Sequence, residues 1–230
     1  MKPLPNWEYL TKRMIWQQLD FLRGASVLDF GSGSGATAEH FAQCCEVTAV
    51  EPSADMLAQR DESATYTQLV GGIELLASMP NDIYDAVLCH NVMEYVPDQP
   101  AALRELTRVL KPDGCLSLVK HNPAGRVMQM AVLLNDFDRA DALLSGGDGY
   151  SKEFGTIHYY RDDDVACWCP DLCLERVYGL RTFWDLQQNQ EIQSNPDWRE
   201  KMLALEHRVS VLPEYQAIAF HHHLIFRKKA

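Results

Sequence analysis

The sequence predicts a single α/β domain, residues 1–230, built on a doubly wound, mostly parallel sheet of seven strands with a small helical cap insertion. Apolar runs of strand character alternate with stretches of helical periodicity between residues 25 and 119, as in proteins whose parallel strands are joined by helices. The first apolar run breaks into closely spaced glycines and then resumes with helical character, which is typical of a strand, a tight turn and a helix.

The glycine turn follows the apolar run at residues 25–30 and contains Gly31, Gly33 and Gly35. Glycine adopts left-handed backbone conformations, and without a Cβ it lets a ligand approach the main-chain N–H groups. The turn therefore predicts a nucleotide-like ligand. Its alternating glycines differ from the G-x-G-x-x-G spelling usual in dinucleotide dehydrogenases, the other class of enzyme with such a turn.

The other elements follow in chain order. Ser53 is expected to cap a short helix, and Pro170 to end the helix that opens at Asp162. Further strands are predicted at 47–50, 66–70, 83–91, 115–119, 172–183 and 218–226, and further helices at 7–22, 36–41, 101–110 and 198–208. Between them the pattern loosens: residues 123–160 combine a short apolar helix, an acidic patch and a glycine-rich loop, which predicts a cap over the carboxyl ends of the strands.

Composition limits the possible partners and location. The chain has 32 acidic and 21 basic residues, a formal net charge of −11, which disfavours a broad nucleic-acid footprint without excluding a local one. The start lacks an apolar signal core, and no apolar run approaches the length of a membrane span. We expect a cytoplasmic protein without a membrane partner; the oligomeric state is not indicated.

The cysteines and histidines do not predict a metal site. The seven cysteines are an odd number and lie mostly in apolar runs, as expected of reduced, buried thiols. Cys167, Cys169 and Cys173 lack the paired C-x₂-C spacing of zinc sites, so we expect them to pack in the core. The run 221–223 of three histidines lies in an apolar strand whose side chains alternate between two faces.

Polar residues stand where the predicted strands end, at Asp29, Glu51, 71–72, 90–91 and 121–122. In an open parallel sheet, ligands bind outside the carboxyl ends of the strands. Glu51 follows Gly31 by 20 positions, the spacing at which an acid on the second strand grips two ribose hydroxyls. The alternative, that this acid merely caps the next helix, is less favoured because Ser53 can serve that purpose.

Four segments in this order resemble those of class I S-adenosylmethionine-dependent methyltransferases: Val27-Leu-Asp-Phe-Gly-Ser-Gly-Ser-Gly35, Glu51-Pro-Ser-Ala-Asp-Met56, Tyr84-Asp-Ala-Val-Leu-Cys-His90 and Leu110-Lys-Pro-Asp-Gly-Cys-Leu116. The resemblance covers most of the chain. It implies a Rossmann-like methyltransferase fold, an enzyme, and S-adenosylmethionine as cofactor. It further implies that Gly31 and Gly33 contact the methionine part of the cofactor, that Glu51 binds the ribose, and that Met56 packs on the adenine.

The third strand departs from the family pattern. Members often carry an aspartate after the glycine that follows this strand, where it bonds the adenine amino group, whereas this sequence has Gly72. The resemblance therefore implies that backbone atoms of Gly72 and Ile73, or the side chain of Glu74, serve the adenine. Asp29 and His90, at two other strand ends, complete the expected cofactor-binding set.

A closer resemblance is to the bacterial tRNA 5-carboxymethoxyuridine methyltransferase group, which esterifies a carboxylate on the wobble uridine. The shared pieces include His90 with Glu94, Gly179-x-Arg181-x-Phe183-x-Asp185 and Leu205-Glu-x-Arg208. In the cap, the lysine-rich run of that group is replaced by 145–150 with acidic neighbours, and strong RNA binding needs phosphate neutralisation. The preferred acceptor is thus a small metabolite with a carboxylate or hydroxyl; the alternative is tRNA.

Three side chains are expected to serve the acceptor. Arg181 is suited to fork onto an acceptor carboxylate, or else forms a surface ion pair. His90 is expected to orient the acceptor or act as base, or else to make a structural hydrogen bond. His121 and Lys120 end the fifth strand and point in opposite directions, so only one faces the pocket, and we favour His121.

Overall fold

The computed structural model describes residues 4, 6–61, 63–152 and 154–230. Nine strands are present in this part of the chain: β1 Ser26–Phe30, β2 Glu46–Glu51, β3 Thr67–Val70, β4 Tyr84–His90, β5 Leu110–His121, β6 Gly149–Ser151, β7 Gly155–Ile157, β8 Leu172–Leu180 and β9 His221–Lys228. Seven of them form one sheet in the order β3-β2-β1-β4-β5-β9-β8, and β6 pairs with β7 in a separate hairpin.

The large sheet is mostly parallel, as predicted. Strands β3, β2, β1, β4 and β5 run parallel, and β9 and β8 add antiparallel pairs at one edge. The strand order reverses between β1 and β4, which leaves a crevice outside their carboxyl ends where ligands of such sheets bind. The predicted doubly wound fold is therefore confirmed.

The edge strands differ from their predicted bounds. The strand expected at 172–183 ends at Leu180, because the next residue, Arg181, has a left-handed φ of 61°. The following N–H groups of Thr182 and Phe183 donate to the Glu206 carboxylate at 2.9 and 2.8 Å instead of to a strand. The strand expected at 218–226 begins three residues later, because Ala219 still belongs to the preceding turn.

Helices cover both faces of the sheet. The helices in the described part are α1 Asn6–Gln18, α2 Ala36–Phe41, α3 Ala54–Leu57, α4 Gln99–Val109, α5 Pro123–Met128, α6 Phe137–Leu144, α7 Asp162–Trp168, α8 Gln190–Ser194, α9 Pro196–Val209 and α10 Pro213–Gln216. Neighbouring residues of β1 point to opposite faces, so Val27 packs with α1, α2 and α9 while Leu28 packs with α4 and α7.

The segment 123–160, predicted as a helical cap, holds more than helices. It contains α5, a π-helical turn at Gln129–Leu133, α6 and the β6–β7 hairpin, with a small core of its own around Met130, Ala140 and Leu143. The short apolar helix expected in this segment is thus divided between the end of α5 and the π turn. That this segment caps the site stays a prediction.

The cysteines are only partly as expected. All seven lie in the described ranges and are free thiols, and Cys89, Cys115 and Cys169 are buried. Cys167 and Cys173 are exposed, so the prediction that they pack in the core is wrong: Cys167 lies on α7, and Cys173 on the edge strand β8. Within the described ranges, no helix is both long and apolar enough to cross a membrane.

Candidate active site

The glycine turn follows β1 and shapes the floor of the crevice. Gly31 and Gly35 have left-handed φ angles of 75° and 84°. A Cβ on Gly31 would lie 2.2 Å from Val92 Cγ2, and one on Gly35 would lie 1.8 Å from Tyr66 Oη. Both the backbone conformation and the space therefore require glycine at these two positions.

Glu51, at the end of β2, ties the turn to the second strand. Its Oε2 accepts from the Gly33 N–H at 2.8 Å, and its Oε1 accepts from the Ser53 N–H at 2.9 Å. The cap of α3 is the Ser53 hydroxyl, which accepts from the Met56 N–H at 3.3 Å. The helix cap is thus a separate group, as predicted, and the Glu51 carboxylate stands beside the glycine turn with 7% of the residue exposed.

A cavity of about 830 Å³ opens outside the carboxyl ends of β1, β2 and β4, within the size range of small-molecule and cofactor sites. Helix α1 and the β6–β7 hairpin contribute Lys12 and Phe154 to its wall. Of the residues that the sequence predicts for the site, the cavity brings together Gly31, Gly33, Glu51, Met56, His90 and Arg181.

Four predicted site residues lie off this lining: Asp29, Gly72, Ile73 and His121. Asp29 is buried behind the glycine turn, and burial raises its pKa to about 6. The Gly72 N–H donates to Glu74 Oε1 at 2.7 Å, so this carboxylate folds back onto its own turn. The cofactor roles of Asp29, Gly72 and Ile73 remain predictions.

His121 and Lys120 point to opposite faces, but neither lines the cavity. Lys120 is buried and its Nζ lies 2.8 Å from Asp162 Oδ1. The His121 ring packs 4.7 Å from the ring of its strand partner His221, and the backbone N–H of His121 donates to Glu94 Oε1 at 2.6 Å. Burial lowers the pKa of His121 to about 3, so its imidazole is neutral at neutral pH.

The run of three histidines on β9 contains a cavity residue, His221, that the sequence does not predict for the site. His221 lines the cavity, whereas His222 pairs with Asp162 Oδ2 at 2.7 Å and His223 is bonded to the Ser117 hydroxyl at 2.7 Å. The alternation of faces along the strand was predicted. The register that sets His221 beside His121 depends on the pairing of β5 with β9, which local sequence does not reveal.

Arg181 forms an ion pair, one of the two alternatives that the sequence leaves open, and its role toward an acceptor carboxylate stays a prediction. Its Nε donates to Asp185 Oδ2 at 3.0 Å and its Nη2 donates to Oδ1 of the same carboxylate, so it forms an ion pair. The pair is not on the surface, because only 12% of the Arg181 side chain is exposed and the guanidinium lies 4.6 Å from the Phe220 ring centroid. Arg181 also lines the cavity, and its Nη1 makes no hydrogen bond to any described residue.

His90 ends β4 at the cavity. Its Nε2 is 2.9 Å from Ser117 Oγ, and its Nδ1 is buried without a hydrogen-bond partner in the described part of the chain. Burial, together with nearby His223 and Lys12, holds the pKa of His90 well below its ordinary value. A neutral imidazole with one unused nitrogen therefore stands at the cavity.

The charge of the cavity wall is mainly acidic. Among the described residues, two basic ones, Lys12 and Arg181, line it together with four acidic ones, Glu8, Glu39, Glu51 and Asp61. A wall of this sign favours a cationic ligand and opposes a polyanion.

Comparison with known proteins identifies the class of enzyme. A family model described as a methyltransferase domain matches residues 28–118. The chain is similar to a ubiquinone biosynthesis O-methyltransferase of Xanthomonas oryzae pv. oryzae, with 31% identity over 187 residues that cover 78% of this chain and 75% of the relative. The chain belongs to the S-adenosylmethionine-dependent methyltransferases. The resemblance noted in its sequence is thereby confirmed.

Two further comparisons agree with this assignment. A tRNA 5-carboxymethoxyuridine methyltransferase of Escherichia coli K12 is 28% identical over 236 residues, which cover 95% of this chain and 88% of that protein. A SAM-dependent methyltransferase from Archaeoglobus fulgidus superposes with a TM-score of 0.62 at 14% identity, over 96% of this chain and 94% of that one, and shows the shared fold.

The residues of this methyltransferase fit S-adenosylmethionine, its cofactor. Gly31 and Gly33 line the cavity without side chains of their own, and the Glu51 carboxylate at the end of β2 would hold the ribose hydroxyls. Met56, also on the cavity wall, would offer an apolar contact to the adenine. When bound, the cofactor supplies a methyl group already activated on a sulfonium.

Proposed function

We propose that this methyltransferase methylates an oxygen, of a carboxylate or a hydroxyl, on a small-molecule acceptor. The observation that carries the proposal is the acidic wall of the cavity, on a chain whose net charge is −11. Tight binding of a nucleic acid requires basic side chains that neutralise its phosphates. A cavity of about 830 Å³ with this charge suits the cofactor and a small acceptor better than a folded RNA.

The site would act mainly by holding the acceptor oxygen in line with the methyl group. Orientation of two reactants can lower a barrier by several kcal/mol without any covalent contribution from the protein. We assign the cofactor to Gly31, Gly33 and Glu51, and the acceptor to the side of the cavity lined by His90, Arg181 and His221. The roles of these residues are part of the proposal.

Arg181 and His90 would serve different acceptor groups. Asp185 holds two nitrogens of the Arg181 guanidinium, which fixes its plane and leaves Nη1 for an acceptor carboxylate. His90 carries the unused Nδ1, which is suited to a hydroxyl. His121 lies behind His221 and would act through it rather than on the acceptor.

The alternative acceptor is the wobble uridine of tRNA. Its support is the similarity to the Escherichia coli tRNA methyltransferase, which extends over 95% of the chain and so includes the segment 123–160. A local RNA contact is compatible with a net negative charge, which disfavours only a broad one.

Labelled S-adenosylmethionine distinguishes the two acceptors. The purified enzyme is incubated with the label and, separately, with the small-molecule and tRNA fractions of one bacterial extract. We expect the label in the small-molecule fraction and background incorporation into tRNA. The Glu51→Gln variant, weakened in cofactor binding, gives the background. Enzyme-dependent label in tRNA alone would contradict the proposal and establish the alternative.

A further inference from the structure

A continuous chain of hydrogen bonds runs from the cavity to helix α1. His90 Nε2 lies 2.9 Å from Ser117 Oγ, and the same Oγ lies 2.7 Å from His223 Nε2. His223 Nδ1 in turn lies 2.7 Å from Gln18 Oε1. The chain thus joins β4, β5, β9 and α1, and its two ends are 72 positions apart in sequence, so no local pattern reveals it.

All the hydrogen bonds in this series donate in the same direction, from His90 toward Gln18. The Gln18 amide turns its oxygen, and not its nitrogen, toward His223; because an amide oxygen only accepts, the proton of His223 lies on Nδ1 in this orientation. The Nε2 of a neutral His223 then accepts from the Ser117 hydroxyl, which has a single proton to give. At its other contact Ser117 Oγ must therefore accept, so the His90 proton lies on Nε2 and the His90 Nδ1 carries a lone pair.

Burial maintains this direction of the hydrogen bonds because it keeps both imidazoles neutral. Ser117 and His223 are fully buried, and burial lowers the pKa of His223 to about 3. Because both imidazoles stay neutral at neutral pH, the second nitrogen of each ring has no proton to donate. The only atom of His90 left without a partner among the described residues is Nδ1.

We propose that Gln18, His223 and Ser117 are positioning residues that fix the tautomer of His90, and that His90 Nδ1 accepts a hydrogen bond from a hydroxyl of the methyl acceptor. The second part rests on the function proposed above and narrows it. A lone pair attracts an O–H donor and repels a carboxylate, so the acceptor class is a hydroxyl compound that forms a methyl ether. The hydrogen bond would turn an oxygen lone pair toward the methyl group, and as the oxygen–methyl bond forms and the sulfur–methyl bond breaks, the hydroxyl proton would pass to His90 Nδ1.

The hydrogen-bonded series Gln18–His223–Ser117–His90, called the relay below, is tested without any methyl transfer. Long-range ¹H–¹⁵N spectra of the histidine rings report which nitrogen carries the proton. In the wild-type protein we expect protonated Nε2 and unprotonated Nδ1 for His90. Gln18→Met removes the acceptor at the end of the relay and should yield a mixture of both tautomers. Gln17→Met, on the exposed face of the same helix, is the matched control and should leave the spectrum unchanged.

Ser117→Ala breaks the relay at its centre and should have the same effect on the His90 tautomer. Thermal unfolding of each variant shows whether it is folded; should Ser117→Ala be unfolded, Gln18→Met alone decides. A wild-type His90 with its proton on Nδ1, or a tautomer that does not respond to Gln18→Met, would overturn the relay.

The hydroxyl role is tested by the chemistry of the product. Label transferred to the small-molecule fraction should resist alkali and be released as methyl iodide by hot hydriodic acid, as methyl ethers are. Alkali-labile label marks a methyl ester and would overturn the hydroxyl role. No label, or label in tRNA alone, would refute the proposed function and the hydroxyl role together, while the tautomer spectra still decide on the relay.

Kinetics place the hydrogen bond on the acceptor and not on the cofactor. Gln18→Met should lower kcat/KM for the labelled acceptor by about five- to tenfold, the effect of one misplaced hydrogen bond. Its affinity for S-adenosylhomocysteine should stay within twofold of that of Gln17→Met. An equal loss of S-adenosylhomocysteine affinity would assign His90 to the cofactor and overturn this part of the proposal.

Discussion

Among single residues, Glu51 has one carboxylate that accepts from two backbone N–H groups beside the site where we place the ribose. Glu51→Gln keeps the size of the side chain but replaces one acceptor oxygen with a donor and removes the charge. We expect it to weaken S-adenosylhomocysteine binding by about 1–3 kcal/mol, as for the loss of a charged hydrogen bond, measured by isothermal titration calorimetry.

Glu46→Gln is the matched control for this change. Glu46 begins the same strand β2 at the opposite end and is exposed, so its substitution should leave the affinity unchanged. Equal affinities of Glu51→Gln and wild type would remove Glu51 from the cofactor site.

Glu94 is the residue from which we expect a pH-dependent stability. It is fully buried, and burial raises its pKa from 4.5 to about 7 despite the hydrogen bond from the His121 N–H. Between these values the native state holds a proton that the unfolded chain has lost, so the free energy of unfolding falls as the pH rises through this range. A pKa difference of this size corresponds to about 3 kcal/mol.

The Gln side chain of Glu94→Gln cannot ionise. From pH 4.5 to pH 8 this variant should therefore lose about 3 kcal/mol less unfolding free energy than wild type, as measured by urea unfolding at the two pH values. The exposed Glu214 provides the control substitution Glu214→Gln, which should follow the wild-type dependence. Parallel stability curves for Glu94→Gln and wild type would show that Glu94 ionises normally in the folded protein.

At the scale of elements, the glycine turn depends on both conformation and space, and two glycines separate these effects. Gly24 and Gly31 have similar left-handed φ angles of 64° and 75°, but a Cβ meets nothing within 4 Å at Gly24 and lies 2.2 Å from Val92 Cγ2 at Gly31. Gly24→Ala should cost only the strain of the left-handed backbone, about 1–2 kcal/mol of unfolding free energy.

Gly31→Ala should cost more, because Val92 must also move, and Val92 lines the cavity. We therefore expect Gly31→Ala, and not Gly24→Ala, to weaken S-adenosylhomocysteine binding. Chemical unfolding and calorimetry of the two variants provide the comparison. Equal losses of stability together with unchanged binding would mean that the turn adapts to a side chain.

The first turn of α7 fastens that helix to the sheet through a buried ion pair. Asp162 lies 2.8 Å from the Lys120 Nζ on β5 and 2.7 Å from the His222 Nδ1 on β9. Asp162→Asn leaves the Lys120 charge buried without a counter-charge, which should destabilise the protein by about 3–5 kcal/mol in urea unfolding.

Asp163→Asn, one position along the same helix, is the control, because the Asp163 side chain is 85% exposed and its pairing with Arg161 is screened by solvent. Adding Lys120→Met to Asp162→Asn should recover part of the loss, because no unpaired buried charge then remains. A double variant less stable than Asp162→Asn would show that Lys120 stabilises the fold through its packing.

At the scale of the whole molecule, the sequence predicts what local patterns encode. The glycine turn, the acid at Glu51 and the alternation of strands and helices are all readable within about 30 residues, and they predict the sheet, the crevice and a nucleotide-like ligand, whereas the family resemblance implies which cofactor it is. Arg181 was singled out from its motif, although its burial in a pair with Asp185 became visible only in the structure.

The acceptor side depends on contacts between distant residues. His221 reaches the cavity because β9 pairs antiparallel with β5, and Gln18 meets His223 across 205 positions. The pairing of strands decides which residue faces the site. His121, the residue favoured from strand β5 alone, therefore lies behind His221 and off the cavity. Cys167 is likewise exposed because it lies on the outer side of α7, although its neighbours in sequence are apolar.

The cofactor should stabilise the whole fold, because its site joins the ends of β1, β2 and β4 with α1. A ligand that binds only the native state adds about 2.7 kcal/mol of unfolding free energy at 100 times its Kd. For a chain of 230 residues this corresponds to a rise in Tm of about 5–10 °C. We expect this rise with S-adenosylhomocysteine in differential scanning calorimetry and none with NADH, the cofactor of the other enzyme class that has a glycine turn. A larger rise with NADH would contradict the assignment of the glycine turn to S-adenosylmethionine. An undiminished rise in Tm for Glu51→Gln at the same concentration of S-adenosylhomocysteine would show that Glu51 does not bind the ribose.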